Sequence, residues 1–175
     1  MTNKNINIVI WGLGNHSINR IIPVILNHNQ FNLFGVCSRN ENAVMTVSKE
    51  FACQGWTNSK SMLSMKKIDT VFISTPIGVH FEMSVMALSA KKNVFCEKPL
   101  TSNLNDTKRL IELAKNNNKM LVEAFMFLHH SQFKKIKNLV QNNEIGKVHS
   151  VSCRFGIPNL EKPGFRNNPD LGGGA

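Results

Sequence analysis

Short, almost wholly apolar runs recur along this chain, and between them lie stretches whose apolar residues fall every three or four positions. Ile6 to Trp11 is the first such run, and it closes on Gly12. A strand covered on one face alternates apolar and polar residues, whereas a parallel strand buried on both faces is apolar throughout. Further strands are expected at Phe31 to Cys37, near Cys53, at Thr70 to Ser74 (closed by Thr75-Pro76), at Asn93 to Cys96 and at Met120 to Glu123. Helices fit between them. Residues 15 to 27 carry Ile18, Ile21, Ile22 and Ile25 on one side, but Pro23 costs an interior helix about 3 kcal/mol, so a kinked or short helix is expected. Residues 41 to 51 follow with Val44, Val47 and Phe51, then a small helix around Met62 and a helix over 79 to 90 with Phe81, Val85 and Leu88. Ser102 is the expected N-cap of a helix to about Asn117, packed through Leu104, Thr107, Leu110, Ile111 and Ala114.

Alternating β and α elements with right-handed crossovers specify an α/β fold, a doubly wound parallel Rossmann sheet, over residues 1–124. Residues 125–175 differ in character. A helix striped by Phe133, Ile136, Leu139 and Val140 is stopped by Gly146, and residues 147–155 alternate with Val151, Cys153 and Phe155 on one face. That pattern suits a half-buried strand opening an α+β open-sheet domain. The tail from Pro158 is expected to be loop.

Three loops carry chemistry. Gly12-Leu13-Gly14-Asn15-His16-Ser17 follows the first strand directly. Gly12 permits a tight turn, Gly14 leaves the backbone open to a pyrophosphate, and the helix start offers free N–H groups. Ser17 stands where a third small residue packs helix on strand. At the end of the second strand stands Ser38-Arg39, with no acid before Glu41. A hydroxyl and a guanidinium suit the 2′-phosphate of NADP better than the free ribose of NAD; a plain exposed turn is the alternative. Glu97-Lys98-Pro99 follows the fifth strand, where ligands of such sheets bind. An ammonium there can hold a carbonyl oxygen and stabilise the alkoxide formed on hydride transfer.

Composition removes other classes. The formal charge of +10 comes from scattered Lys and Arg, never more than two in a row, and there is no Tyr, so a nucleic-acid partner is not expected. A positive field suits anionic ligands such as dinucleotides. No apolar run reaches the ~20 residues of a membrane span, and the start lacks a signal-peptide stretch, so a cytoplasmic setting is expected. Cys37, Cys53, Cys96 and Cys153 form no CxxC pair and no cluster has zinc spacing, so no metal is expected.

The strings Ser74-Thr75-Pro76-Ile77-Gly78-Val79-His80 and Ala87 through Leu100, including Cys96-Glu97-Lys98-Pro99, resemble the glucose–fructose oxidoreductase/inositol dehydrogenase (Gfo/Idh/MocA) family. Phe127-Leu128-His129-His130, Glu144-Ile145-Gly146, Phe155-Gly156-Ile157-Pro158 and Leu171 to Ala175 resemble its nucleotide-diphosphate-hexose 3-ketoreductases. The resemblance implies an NADP-dependent oxidoreductase acting on a sugar or nucleotide-sugar. Gly12, Gly14, Asn15, His16 and Ser17 would hold the pyrophosphate, and Ser38 and Arg39 the adenosine ribose phosphate. Thr75, Pro76 and His80 would shape the wall beside the nicotinamide, and Glu97 and the catalytic Lys98 would line the active site. His129 and His130 would lie near the domain junction. For His16 and for the His129-His130 pair, helix capping or surface placement is an equal alternative. Family members form homo-oligomers and continue past the Gly-Gly-Gly-Ala turn into a helix bearing a proton-donating Tyr. The substrate and oligomerisation domain is therefore expected to be truncated here and activity impaired. The alternatives are an NAD-dependent inositol or aldose dehydrogenase and a non-catalytic dinucleotide-binding pseudoenzyme.

Overall fold

The computed structural model describes residues 5–154, 156, 164 and 168–172. Six parallel strands form one sheet in the order β3-β2-β1-β4-β5-β6: β1 (Ile6–Trp11), β2 (Phe31–Cys37), β3 (Gln54–Trp56), β4 (Thr70–Ile73), β5 (Asn93–Cys96) and β6 (Leu121–Glu123). The expected Rossmann sheet is thus present, with β1 central and paired to both β2 and β4. Successive residues of β1 serve opposite faces. Ile8 and Ile10 join Ile22, Ile25, Leu33, Val36, Val47 and Phe72 on one side. Val9 and Trp11 join Val71, Ile73, Met83, Leu88, Val94 and Leu110 on the other. The continuous apolar runs are explained by these two cores.

The first core is covered by α1 (Ile22–Leu26) and α2 (Glu41–Glu50), the second by α3 (Ser59–Leu63), α4 (His80–Ser89) and α5 (Leu104–Asn116). Pro23 does not interrupt the first helix. The helical path is continuous over residues 15–26, with a π-helical segment Ser17–Ile21 directly before α1, and this irregular turn accommodates Pro23, which has no N–H to give. Asparagine side chains start three helices. The Oδ1 of Asn40, Asn58 and Asn103 accepts the N–H of Ala43, Ser61 and Asp106 respectively.

Several expectations need correction. Asn103, not Ser102, caps α5; both residue types cap well, and Asn103 has Asp106 three residues on, whose carboxylate takes its side-chain amide at 2.7 Å. In α5 only Leu110 and Ala114 of the expected stripe are buried, because the helix lies at the β6 side of the sheet and leaves Leu104 and Ile111 exposed. The buried face of α4 is His80, Met83, Ser84, Ala87 and Leu88, with Phe81 and Val85 half-buried beside it. The helix α6 (Ser131–Gln141) ends before Gly146, at a turn in which Asn143 already has φ of 58°. Residues 147–154 form no strand, and Val151 is 84% exposed. Alternation is a one-face pattern that becomes a strand only where a neighbour takes its backbone hydrogen bonds, and among the described residues none does. Phe155 and most of the tail after Ile157 lie outside the described residues.

Candidate active site

The strand ends lie level. Trp11 is in register with Cys37 and Ile73, Ile73 with Cys96, and Cys96 with Glu123. The ladder runs one residue further on each strand: the N–H groups of Gly12, Ser38, Ser74, Glu97 and Ala124 donate to Cys37, Trp56, Trp11, Ile73 and Cys96 carbonyls. The loops that leave these positions therefore share one edge of the sheet, around the point between β1 and β4 where strand order reverses. That is where open α/β sheets bind ligands.

Gly12 sits at φ +111°, and a Cβ there would stand 2.4 Å from the Ser74 carbonyl oxygen. No other residue type fits the turn without moving β4. A Cβ on Gly14 would meet nothing within 4 Å, so the space before it is open. Asn15 and His16 are exposed. Ser17 is fully buried and braces the turn. Its hydroxyl proton lies between the carbonyls of Gly12 (2.8 Å) and Gly14 (2.9 Å), and its oxygen accepts the Gly14 N–H at 3.1 Å. The sequence showed a small residue here, but not this brace. Ser38 is half-buried and its Oγ accepts the Asn40 N–H. Arg39 is exposed and joins none of the ion pairs among the described residues.

The loop after β5 is held at each peptide. Lys98 N–H donates to Glu97 Oε2 at 3.3 Å, and Leu100 N–H to Glu123 Oε1 at 2.8 Å; the Lys98–Pro99 bond is cis. The side chain of Lys98 is exposed, while Glu97 is largely covered and reaches Nε2 of His16 at 3.1 Å. His16 makes no capping bond. His80 lies beneath the loops rather than on their surface. It is 1% exposed, with Nδ1 2.8 Å from the Pro99 carbonyl and Nε2 2.8 Å from that of Thr75. A neutral imidazole donates to one of these carbonyls and an imidazolium to both. Only with both ring nitrogens protonated does the ring hydrogen-bond the β4 loop and the Lys98 loop together; with one proton it holds one of the two and packs against the other. Thr75 turns its hydroxyl inward to Met83 Sδ, and half-buried Pro76 precedes a 3-10 turn over Ile77–Val79.

Two further contributors escaped the sequence reading. Glu123 was legible only as the end of a strand, and its carboxylate anchors the loop beyond Pro99. Gly172, at φ +80°, follows the turn Pro169–Leu171 and packs so closely on the β4 loop that a Cβ would lie 2.7 Å from Ile77 Cβ. Capping describes His130, whose Nδ1 accepts the Gln132 N–H, and His129 is exposed. Cys37 and Cys96 are buried in strands, which pushes their thiols up to about 11 and about 12. Among the described residues no three His, Cys, Asp or Glu side chains gather as a metal site, and no helix is long and apolar enough to cross a membrane.

Comparison with known proteins agrees with this geometry. Over its whole described sheet the chain resembles a 3-ketoreductase from Actinomadura kijaniata in complex with NADP and TDP-benzene. The TM-score is 0.91 and the identity 27%, covering 98% of this chain and 53% of that one. A dTDP-3,4-didehydro-2,6-dideoxy-alpha-D-glucose 3-reductase of Saccharopolyspora spinosa is 33% identical over 172 residues, 98% of this chain and 52% of the relative. A myo-inositol 2-dehydrogenase of Thermotoga maritima is 30% identical over 118 residues, 67% of this chain and 35% of the relative. The chain thus spans about half the length of the sugar 3-reductases it matches. The family model described as an oxidoreductase family with an NAD-binding Rossmann fold matches residues 6–125, most of the chain and all six strands, and on that match this protein belongs to the Gfo/Idh/MocA oxidoreductases.

Proposed function

We propose that this chain binds NADP across the loops after β1, β2, β4 and β5, and that its protein reduces a ketone on a nucleotide-linked hexose. The observation that carries the reading is the convergence of the open Gly14 turn, the exposed Arg39 guanidinium and the exposed Lys98 ammonium on one sheet edge. In this reading the pyrophosphate would lie over Gly12–Ser17 and the 2′-phosphate against Ser38 and Arg39; the Ser17 brace that holds the turn supports it. Bound NADPH supplies the hydride. Lys98 holds the reacting oxygen and stabilises the negative charge that develops on it. His80, Glu97 and Glu123 fix the backbone on either side of Lys98, so that its ammonium starts from a defined position. The similarity to the sugar 3-reductases and to a ketoreductase solved with NADP supports the choice of substrate class and cofactor.

Titration of the chain with NADPH and NADH, followed by cofactor fluorescence or calorimetry, tests the reading. NADPH is expected to bind more tightly, and Arg39→Ala to weaken it about tenfold through loss of a charged hydrogen bond, with a much smaller loss for NADH. A preference for NADH would overturn the assignment of Arg39 and favour a polyol dehydrogenase. Absence of binding to either nucleotide would remove the reading altogether.

A further inference from the structure

One contact joins the glycine turn to the Lys98 loop, across 81 positions of sequence: His16 Nε2 to Glu97 Oε1, at 3.1 Å. The His16 side chain is 42% exposed and that of Glu97 only 14%. The other carboxylate oxygen of Glu97 accepts the Lys98 N–H. A carboxylate has no proton to give, so the proton of the contact sits on Nε2 of the imidazole. Among the described residues His16 is the only side-chain partner Glu97 has.

This arrangement meets an electrostatic difficulty within the proposed NADP site, and the inference rests on that reading. Glu97 is needed at the Lys98 backbone, yet it stands beside the turn that would carry a doubly charged pyrophosphate. A carboxylate so little exposed is poorly screened by water, and it repels phosphate oxygens at short range. The sequence places one proton-bearing group between the two, at the fifth position of the turn itself.

We propose that His16 is a charge mask: its imidazole covers the Glu97 carboxylate and so lets an anionic dinucleotide share the cleft with the group that positions Lys98. On this account His16 governs cofactor affinity through Glu97, and not by gripping the phosphates. A contact residue and a mask give opposite results when Glu97 is also changed.

The test is NADPH titration of the wild-type chain, H16A, E97Q and the H16A/E97Q double variant. H16A is expected to bind about tenfold more weakly, with a deficit that shrinks as salt rises. E97Q is expected to bind more tightly than wild type. The double variant should then lie within about twofold of E97Q, since removal of the carboxylate leaves nothing to mask. His16→Gln, which keeps an N–H for Glu97, should fall between wild type and H16A. A double variant as weak as H16A would overturn the proposal, as would H16A binding like wild type or His16→Gln as weak as H16A. Lack of NADPH binding by the wild-type chain would defeat the site reading itself; a wild type that binds, with a flat cycle, defeats only the mask.

Discussion

Burying a lysine amine costs free energy unless acceptors receive it, and Lys92 is placed to meet them. It is 6% exposed, and its Nζ donates to the carbonyls of Met65 (2.8 Å) and Ile68 (3.0 Å) where the chain leaves α3 and enters β4. Burial holds its pKa below 10.5, with the Asp69 carboxylate pulling the other way and Lys119 adding to the depression. Lys92→Met deprives the Ile68 carbonyl of its donor and leaves the Met65 carbonyl with the Ile68 N–H alone, and it is expected to cost about 2 kcal/mol near neutral pH, as measured by urea denaturation. The pH dependence has a definite sign. Below the lowered native value both states are protonated and the burial penalty is constant. Between that value and 10.5 the unfolded chain keeps a proton that the native state has shed, so wild-type stability rises with pH. The wild type should therefore gain on Lys92→Met as pH approaches 10.5; a gap that narrows would contradict the burial of the amine. At this scale the sequence conceals most. Lys92 reads as one of two adjacent surface lysines, Ser17 as a substitute glycine, and His80 as a cleft residue. Lys92 and His80 depend on carbonyls brought near by tertiary folding, and Ser17 on the carbonyls of its own tight turn, none of which periodicity reveals.

Elements are more legible, because hydrophobic spacing acts locally. The β1, β2 and β5 bounds agree with the apolar runs, and the π-helical irregularity before Pro23 follows from its missing N–H. Helix starts are harder, since neighbouring Ser and Asn cap about equally well, and α5 begins at Asn103 rather than Ser102. Asn103→Ala is expected to lower stability by about 1 kcal/mol, and Ser102→Ala to change it by much less. Equal losses in thermal melts would return the cap to Ser102. The failed strand at 147–154 teaches the converse: a side-chain pattern is local, while strand pairing is not. The Glu97-Lys98-Pro99 loop was legible as a site through its place after β5, but its support by Glu123 requires knowing that β5 and β6 are neighbours.

For the molecule as a whole, hydrogen exchange should divide the chain by its backbone bonding. Amides of β1, β2, β4 and β5, paired on both sides, are expected to exchange slowest, and those of 147–154, with no backbone hydrogen bonds among the described residues, fastest. Protection over 147–154 in an exchange experiment would reveal pairing that the fold described here lacks. The sheet also has two open flanks, and both are short: β3 and β6 contribute only three residues each. A foreign strand laid against either flank finds a brief row of donors and acceptors and cannot register far before it runs out of template. An all-parallel sheet rich in valine and isoleucine is thereby kept from growing by edge-on recruitment, through the economy of its outermost members rather than through charge or proline.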